Sequence, residues 1–200
     1  MGNLTKEIVV PVDGSKNSLR SLEYLHLIYG PEYNLNVSLF HVLPSLPRVL
    51  TEDKAKDREL RDIRTRLKYI EEKNIHMAKE ILTDAKTALL VKGLKEENVE
   101  TFYQKMEFTI PRDIYLWARG KQVDAVVVGR RGRSDLQTFF MGEVADKLVE
   151  CCEECPLWIV GGDIHSKKVL LCVDASENAL KAVNHTGRML SGTDCRITLF

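Results

Sequence analysis

Short apolar runs alternate along this chain with stretches of helical period. Ile8–Val12, Val37–Val42, Val99–Phe108, Ala125–Val128 and Leu157–Val160 read as strands, bounded by turn residues. Between the first two runs, Leu19, Leu22, Leu25 and Ile28 mark one face of a helix that starts at the N-cap Ser15 and stops at Gly30-Pro31. A strand, a helix and a strand within 35 residues form a βαβ unit, which implies parallel strands. Pro111 opens a further helix with Ile114, Trp117 and Ala118 on its core face, and Gly142 opens another with Val144, Leu148 and Val149. Residues 51–92 are helical throughout, with Leu60, Ile63, Leu67, Ile70, Met77, Ile81, Ala85 and Leu89 along one stripe. At about 1.5 Å per residue such a helix would run ~60 Å, too long for one small sheet. It predicts a break near Asn74, a projecting arm that could pair with a partner chain, or a solvated surface helix with a single core stripe.

The chain then begins again. Val169–Leu180 repeats Ile8–Leu19 at an offset of 161 residues, with Val12, Asp13, Ser15, Asn17 and Leu19 recurring as identical residues. Arg196–Phe200 repeats Asn36–Phe40 one residue out of step, and Gly161-Gly162-Asp163 reads as a linker between the copies. A repeat of this kind implies a duplicated domain. The expected division is 1–162 for one complete domain and 163–200 for the start of a second. A βαβ fragment of that size is too small to bury a core alone. The repeat therefore predicts a piece of a longer two-domain protein, with the fragment packed on the first domain, on another chain, or loose.

Composition narrows the classes. The 200 residues are 44% hydrophobic and 29% charged, enough for a core under a soluble surface. Twenty-nine basic residues balance 29 acidic ones, which argues against a general nucleic-acid binder. No apolar run reaches the length of a membrane span, and Met1–Lys6 lacks a hydrophobic signal region, so a cytoplasmic protein is expected. Five cysteines without an export signal are expected to be reduced thiols. Cys152-Glu-Glu-Cys155 closes a helix rather than opening one and has no second ligand pair nearby, so neither a redox motif nor a zinc site is expected there.

Candidate chemistry concentrates between Asp124 and Val149. The strand Ala125–Val128 runs into Gly129-Arg130-Arg131-Gly132-Arg133, and a helix starts after Gly142. Glycines let a backbone approach an anion closely, and a helix N-terminus offers unpaired N–H groups with a partial positive charge. Arg130, Arg131 and Arg133 suit phosphate oxygens, or are simply solvated loop cations. Asp13, at the end of the first strand, either meets a ligand or only shapes its turn.

The spacing Gly129-x2-Gly132-x9-Gly142, the strand end Val12-Asp13-Gly14-Ser15, His41-Val42 and Cys155-Pro156 together resemble the universal stress protein family over Lys6–Val160. The resemblance implies an α/β fold: an open five-stranded parallel sheet of order 3-2-1-4-5, helices on both faces, and here a partial second βαβ copy. It implies an adenine-nucleotide site. Asp13 and Val42 would face adenine, Pro11 and Gly129 the ribose, and Gly132, Gly142 and the next residue the phosphates. Val12, Val144 and the three arginines complete the candidate set. The departure is Glu143, which stands where the family carries Ser or Thr. A carboxylate only accepts hydrogen bonds, and it repels phosphate by about 4 kcal/mol per unit-charge pair at ~4 Å and an effective dielectric near 20. Mg²⁺ bound with ATP could reverse that sign.

The resemblance thus implies a stress-response regulator that binds ATP, without catalysis of its own and forming a homodimer through Leu157–Val160. The alternatives are a nucleotide-free dimerising module or a slow ATPase or self-phosphorylating protein. For the last, no general base, nucleophile elbow or Lys-Ser/Thr phosphate loop is evident.

Overall fold

The computed structural model describes residues 5–31, 34–45, 58–130, 141–152, 154–174 and 176–200, with backbone alone for 58–61. Seven strands and five α-helices follow in the order β1 (Lys6–Pro11), α1 (Lys16–Tyr29), β2 (Leu35–Leu43), α2 (Arg58–Val91), β3 (Val99–Lys105), α3 (Ile110–Lys121), β4 (Ala125–Gly129), α4 (Glu143–Cys151), β5 (Leu157–Val160), β6 (Lys168–Leu171), α5 (Glu177–Leu190) and β7 (Arg196–Leu199). The first five strands form one parallel sheet of order β3-β2-β1-β4-β5, as expected, and β6 and β7 form a separate parallel pair.

Alternation along the strands builds two cores. Ile8, Val10, Val37, Leu39, Ala125 and Val127 point to one face, where α1 brings Leu22, Leu25 and Ile28 and α2 brings Leu82, Ala85 and Leu89. Val9, Phe40, Val42, Val126 and Val128 point to the other, against Ile114 and Ala118 of α3 and Ala145 and Leu148 of α4. Both faces are covered, so the central strands read as continuous apolar runs rather than as an alternating pattern.

Local chemistry corrects several expected boundaries. β3 ends at Lys105 rather than Phe108, because the buried carboxylate of Asp113 accepts the backbone N–H groups of Glu107 and Phe108 and turns the chain there. Thr109 then caps α3 through its side chain. Leu19 and Val149 are exposed, whereas Ser18 and Ser21 are buried on the α1 face together with Leu22, Leu25 and Ile28. α2 does not break near Asn74. It contains neither Gly nor Pro, and its 34 residues run on for about 50 Å at ~1.5 Å each. Its C-terminal half buries Ala78, Leu82, Ala85 and Leu89. Ile63, Tyr69 and Ile70 on its N-terminal half stay exposed, so the arm is real and the core stripe covers only half the helix. Residues 51–57 of the expected helix lie outside the described residues.

The repeat is visible in atomic detail. Asp13 Oδ1 accepts the Ser15 N–H at 2.9 Å, and Asp174 Oδ1 accepts the Ser176 N–H at 2.9 Å. Ser15 and Ser176 then cap α1 and α5 with nearly the same backbone angles, φ −79 and −80 with ψ 157 and 155. The fragment is not loose: Met189 of α5 is fully buried in the first core.

The two halves of α2 should respond differently to truncation. Leu89→Ala is expected to cost about 2–5 kcal/mol in urea unfolding, and Ile70→Ala less than ~0.5 kcal/mol. Equal losses would mean that the arm is packed.

Candidate functional site

β1 is the strand at which the sheet order reverses, with β2 on one side and β4 on the other. Loops leaving the carboxyl ends of β1 and β4 therefore diverge and leave a crevice between them. On the β1 side, Val12 donates its N–H to Phe40 O at 2.9 Å. The Val12 carbonyl lies 2.6 Å from His41 Nδ1; a carbonyl only accepts, so His41 carries a proton on Nδ1. Both backbone groups of Val12 are thus tied to β2. Gly14, at φ 77, makes the left-handed turn that Asp13 closes and Ser15 caps. One carboxylate oxygen of Asp13 is accordingly engaged by its own turn, whatever else the residue meets.

On the β4 side, the chain leaves and returns at a single residue. Arg130 donates its N–H to Val160 O at 2.7 Å, and Arg130 O accepts the Gly142 N–H at 2.7 Å. Arg130 and Gly142 are therefore held together beside β5. Gly142 forms the N-cap of α4 without a side-chain hydrogen bond and with an ordinary extended backbone. The first turn of α4 carries Glu143 and Asp146, so two carboxylates already face the positive end of this helix. Glu143 is exposed to solvent. The stem of Arg130 crosses Gly161, where an added Cβ would lie only 2.9 Å from Arg130 Cδ. The space for that stem exists because residue 161 has no side chain.

The two turns line one cavity of about 400 Å³. It brings together nine of the residues singled out in the sequence: Pro11, Val12, Asp13, Val42, Gly129, Arg130, Gly142, Glu143 and Val144. Arg131, Gly132 and Arg133 lie outside the described residues. The cavity also takes in side chains that the sequence reading did not select. Phe40, Ile114 and Val128 form an apolar wall on the α3 side, while Ser18, His41 and Met77 close the other. Phe40 could have been found, because it precedes His41-Val42 and is stacked 4.9 Å from Trp117. Met77 could not, since its place depends on how a distant helix lies across the strand ends. The result is a slot with apolar sides and a few polar lining residues, among them Asp13, Arg130 and Glu143. Flat, largely apolar groups fit the first, and polar or charged ones the second.

Cys152-x-x-Cys155 is separate from this cavity. Cys155 is buried and Cys152 half-buried, and burial first, then the neighbouring thiols, pushes the Cys152 thiol up to about 12. It is a protonated packing residue at neutral pH, not a nucleophile. Among the described residues no cluster of three or more His, Cys, Asp or Glu could hold a metal ion, and no helix is long and apolar enough to cross a membrane.

Known proteins share this architecture. The sequence profile of the universal stress protein family matches residues 5–161. Universal stress protein MJ0531 of Methanocaldococcus jannaschii is 26% identical over 161 residues, covering 79% of this chain and 83% of that protein. A universal stress protein from Archaeoglobus fulgidus DSM 4304 superposes with a TM-score of 0.62 at 19% identity, over 93% of this chain and 64% of its own. The universal stress protein from Archaeoglobus fulgidus in complex with dAMP superposes with a TM-score of 0.50 at 21% identity, over 80% of this chain and all of its own. At these identities the two structures speak for the fold alone, while the sequence match carries the assignment. The chain belongs to the universal stress protein family.

Proposed function

We propose that this chain is an adenine-nucleotide-binding regulator without catalysis of its own, and that its cavity is the nucleotide site. The observation that carries the reading is the cavity that the Asp13 turn shares with Gly129, Arg130, Gly142, Glu143 and Val144. Its apolar walls suit a purine, and its lining reaches Gly142 and Glu143 at the start of α4, where N–H groups are unpaired within the helix. The dAMP complex of the Archaeoglobus fulgidus relative supports the choice of ligand. In this reading adenine lies by Asp13 and Val42, ribose by Pro11 and Gly129, and phosphate by Gly142, with Arg131, Gly132 and Arg133 completing the loop.

Glu143 shapes which nucleotide is held. Its charge opposes a phosphate group, but its exposure to water keeps that repulsion near the solvent limit. ATP would be accommodated with Mg²⁺ shared between its phosphates and the Glu143 carboxylate, since a hard cation prefers oxygen ligands of both kinds. Calorimetry should show binding heat with dAMP and with ATP plus Mg²⁺ below millimolar nucleotide, and silence at millimolar levels would discard the proposal. Without Mg²⁺, Glu143→Ser should tighten binding about fivefold or more, from the ~1 kcal/mol that two unit charges exchange at ~4 Å in water. An unchanged or weaker affinity under those conditions would show that the carboxylate helps the ligand directly.

A dimeric role is favoured by a separate observation. β5 pairs with β4 alone, and among the described strands none occupies its outer edge, where Ile159 is exposed. A second copy could add there, because an open strand edge presents unpaired N–H and C=O groups. Sedimentation should then give twice 22.8 kDa, reverting to a single chain in Ile159→Lys; a monomer at all concentrations would reject it. The division into 1–162 and a second copy from 163 rests on the matching Asp13–Ser15 and Asp174–Ser176 turns. The longer Archaeoglobus fulgidus structure overlaps 93% of this chain, so the shared fold runs on past residue 162.

A further inference from the structure

We infer that the Trp158–His185 hydrogen bond is an acid-sensitive latch, holding the β6–α5–β7 unit on the first sheet at neutral pH and releasing it on acidification. The bond joins β5 to α5 at 2.9 Å, from Trp158 Nε1 to His185 Nε2. An indole nitrogen only donates, so His185 Nε2 must accept, and the ring must be neutral with its proton on Nδ1. A protonated imidazole has N–H groups on both nitrogens and would set one donor against another. Loss of this bond would leave the indole N–H unpaired in a half-buried site, which costs more than the bond itself contributes.

The surroundings reinforce the neutral state. Burial is the largest influence and holds the His185 ring below its ordinary value of 6.5. Two charged groups face it and oppose one another: Asp124, from the turn before β4, favours the charged ring, and Arg188, on its own helix, disfavours it. Those two are themselves paired at 2.7 Å, with Asp124 also accepting the Glu7 N–H at 2.9 Å. From α1, Tyr24 meets Trp158 edge-on at 6.2 Å, and burial followed by the nearby Cys195 raises its phenol, so it stays uncharged. The sign follows from linkage. The docked unit binds fewer protons than the released one, so its stabilisation is complete above the ordinary histidine value and is lost as pH falls through the lowered one.

Other contacts also hold the unit. Met189 is buried, Leu190 and Cys195 pack against the same core, Arg188 pairs with Asp124, and Lys6 Nζ donates to Ser191 O at 3.1 Å. A cleft of about 310 Å³ lies beside the latch, between Tyr24, Trp158 and the linker residues Asp163 to Ser166. Release would uncover Met189 and the Trp158 wall of this cleft while the linker keeps the unit tethered.

The test is hydrogen exchange of α5 amides in the full chain from about pH 8 to pH 5, corrected for intrinsic rates, with histidine NMR on the same sample. The latch predicts that α5 protection falls at least tenfold as His185 titrates, with a midpoint below ~6.5. His185→Gln offers an oxygen acceptor that does not titrate, and its protection should not depend on pH. Constant α5 protection while His185 gains its proton would overturn the latch, as would an unchanged step in His185→Gln. Should that variant not fold, the unmodified chain still decides: a proton on His185 Nε2 at neutral pH rules the latch out.

Discussion

The parallel pairing of β1 with β2 on one side and β4 on the other governs this structure. The β1–β2 register runs from Lys6 opposite Leu35 to Pro11 opposite Phe40, and β1 meets β4 at Ile8 opposite Ala125 and Val9 opposite Val126. A parallel strand cannot be reached by a hairpin, so every connection must cross a face as a helix. Because β1 has neighbours reached from opposite directions, the connections after β1 and β4 part at their carboxyl ends. The cavity is the geometric remainder of that parting, and it would exist whatever side chains lined it. Their identity decides only what it holds.

The backbone that carries those side chains is itself fixed by local bonds, which suits a binding site more than a mobile loop. The Val12 peptide is bonded on both sides to β2, Asp13 and Ser15 lock their own turn, and Arg130 is held to both Val160 and Gly142. A ligand meeting such a surface loses little affinity to ordering it. The same bonds connect the cavity to the rest of the molecule: Val160 ends β5, two residues beyond Trp158, and Trp158 is one of the residues on which α5 docks.

Much of this was legible in the sequence, and the reasons are specific. Strands β1, β2 and β4 were visible because both faces are covered, so each appeared as a short apolar run, whereas the edge strand β3, VETFYQK, is largely exposed and mixes polar with apolar residues. The Asp13 and Gly129 turns were legible because glycine and Asx chemistry are local. Nine of the twelve proposed site residues indeed line one cavity. What depended on distant packing was not legible. The carboxylate that ends β3 comes from Asp113 on the following helix. Met77 reaches the cavity because α2 continues unbroken past Asn74, and Leu19 lies outside the core because serines face inward on α1. Nor does a repeat disclose where its second copy docks: Met189 in the first core and His185 on Trp158 required coordinates.

The account stands on the cavity between the β1 and β4 turns being a nucleotide seat. Amide NMR of the isotope-labelled chain titrated with dAMP tests it most directly. The account predicts saturable shifts at Asp13, Val42, Gly129, Gly142, Glu143 and Val144 together, with the α2 arm unmoved. Shifts confined to the cleft beside Trp158, or none at millimolar nucleotide, would contradict it.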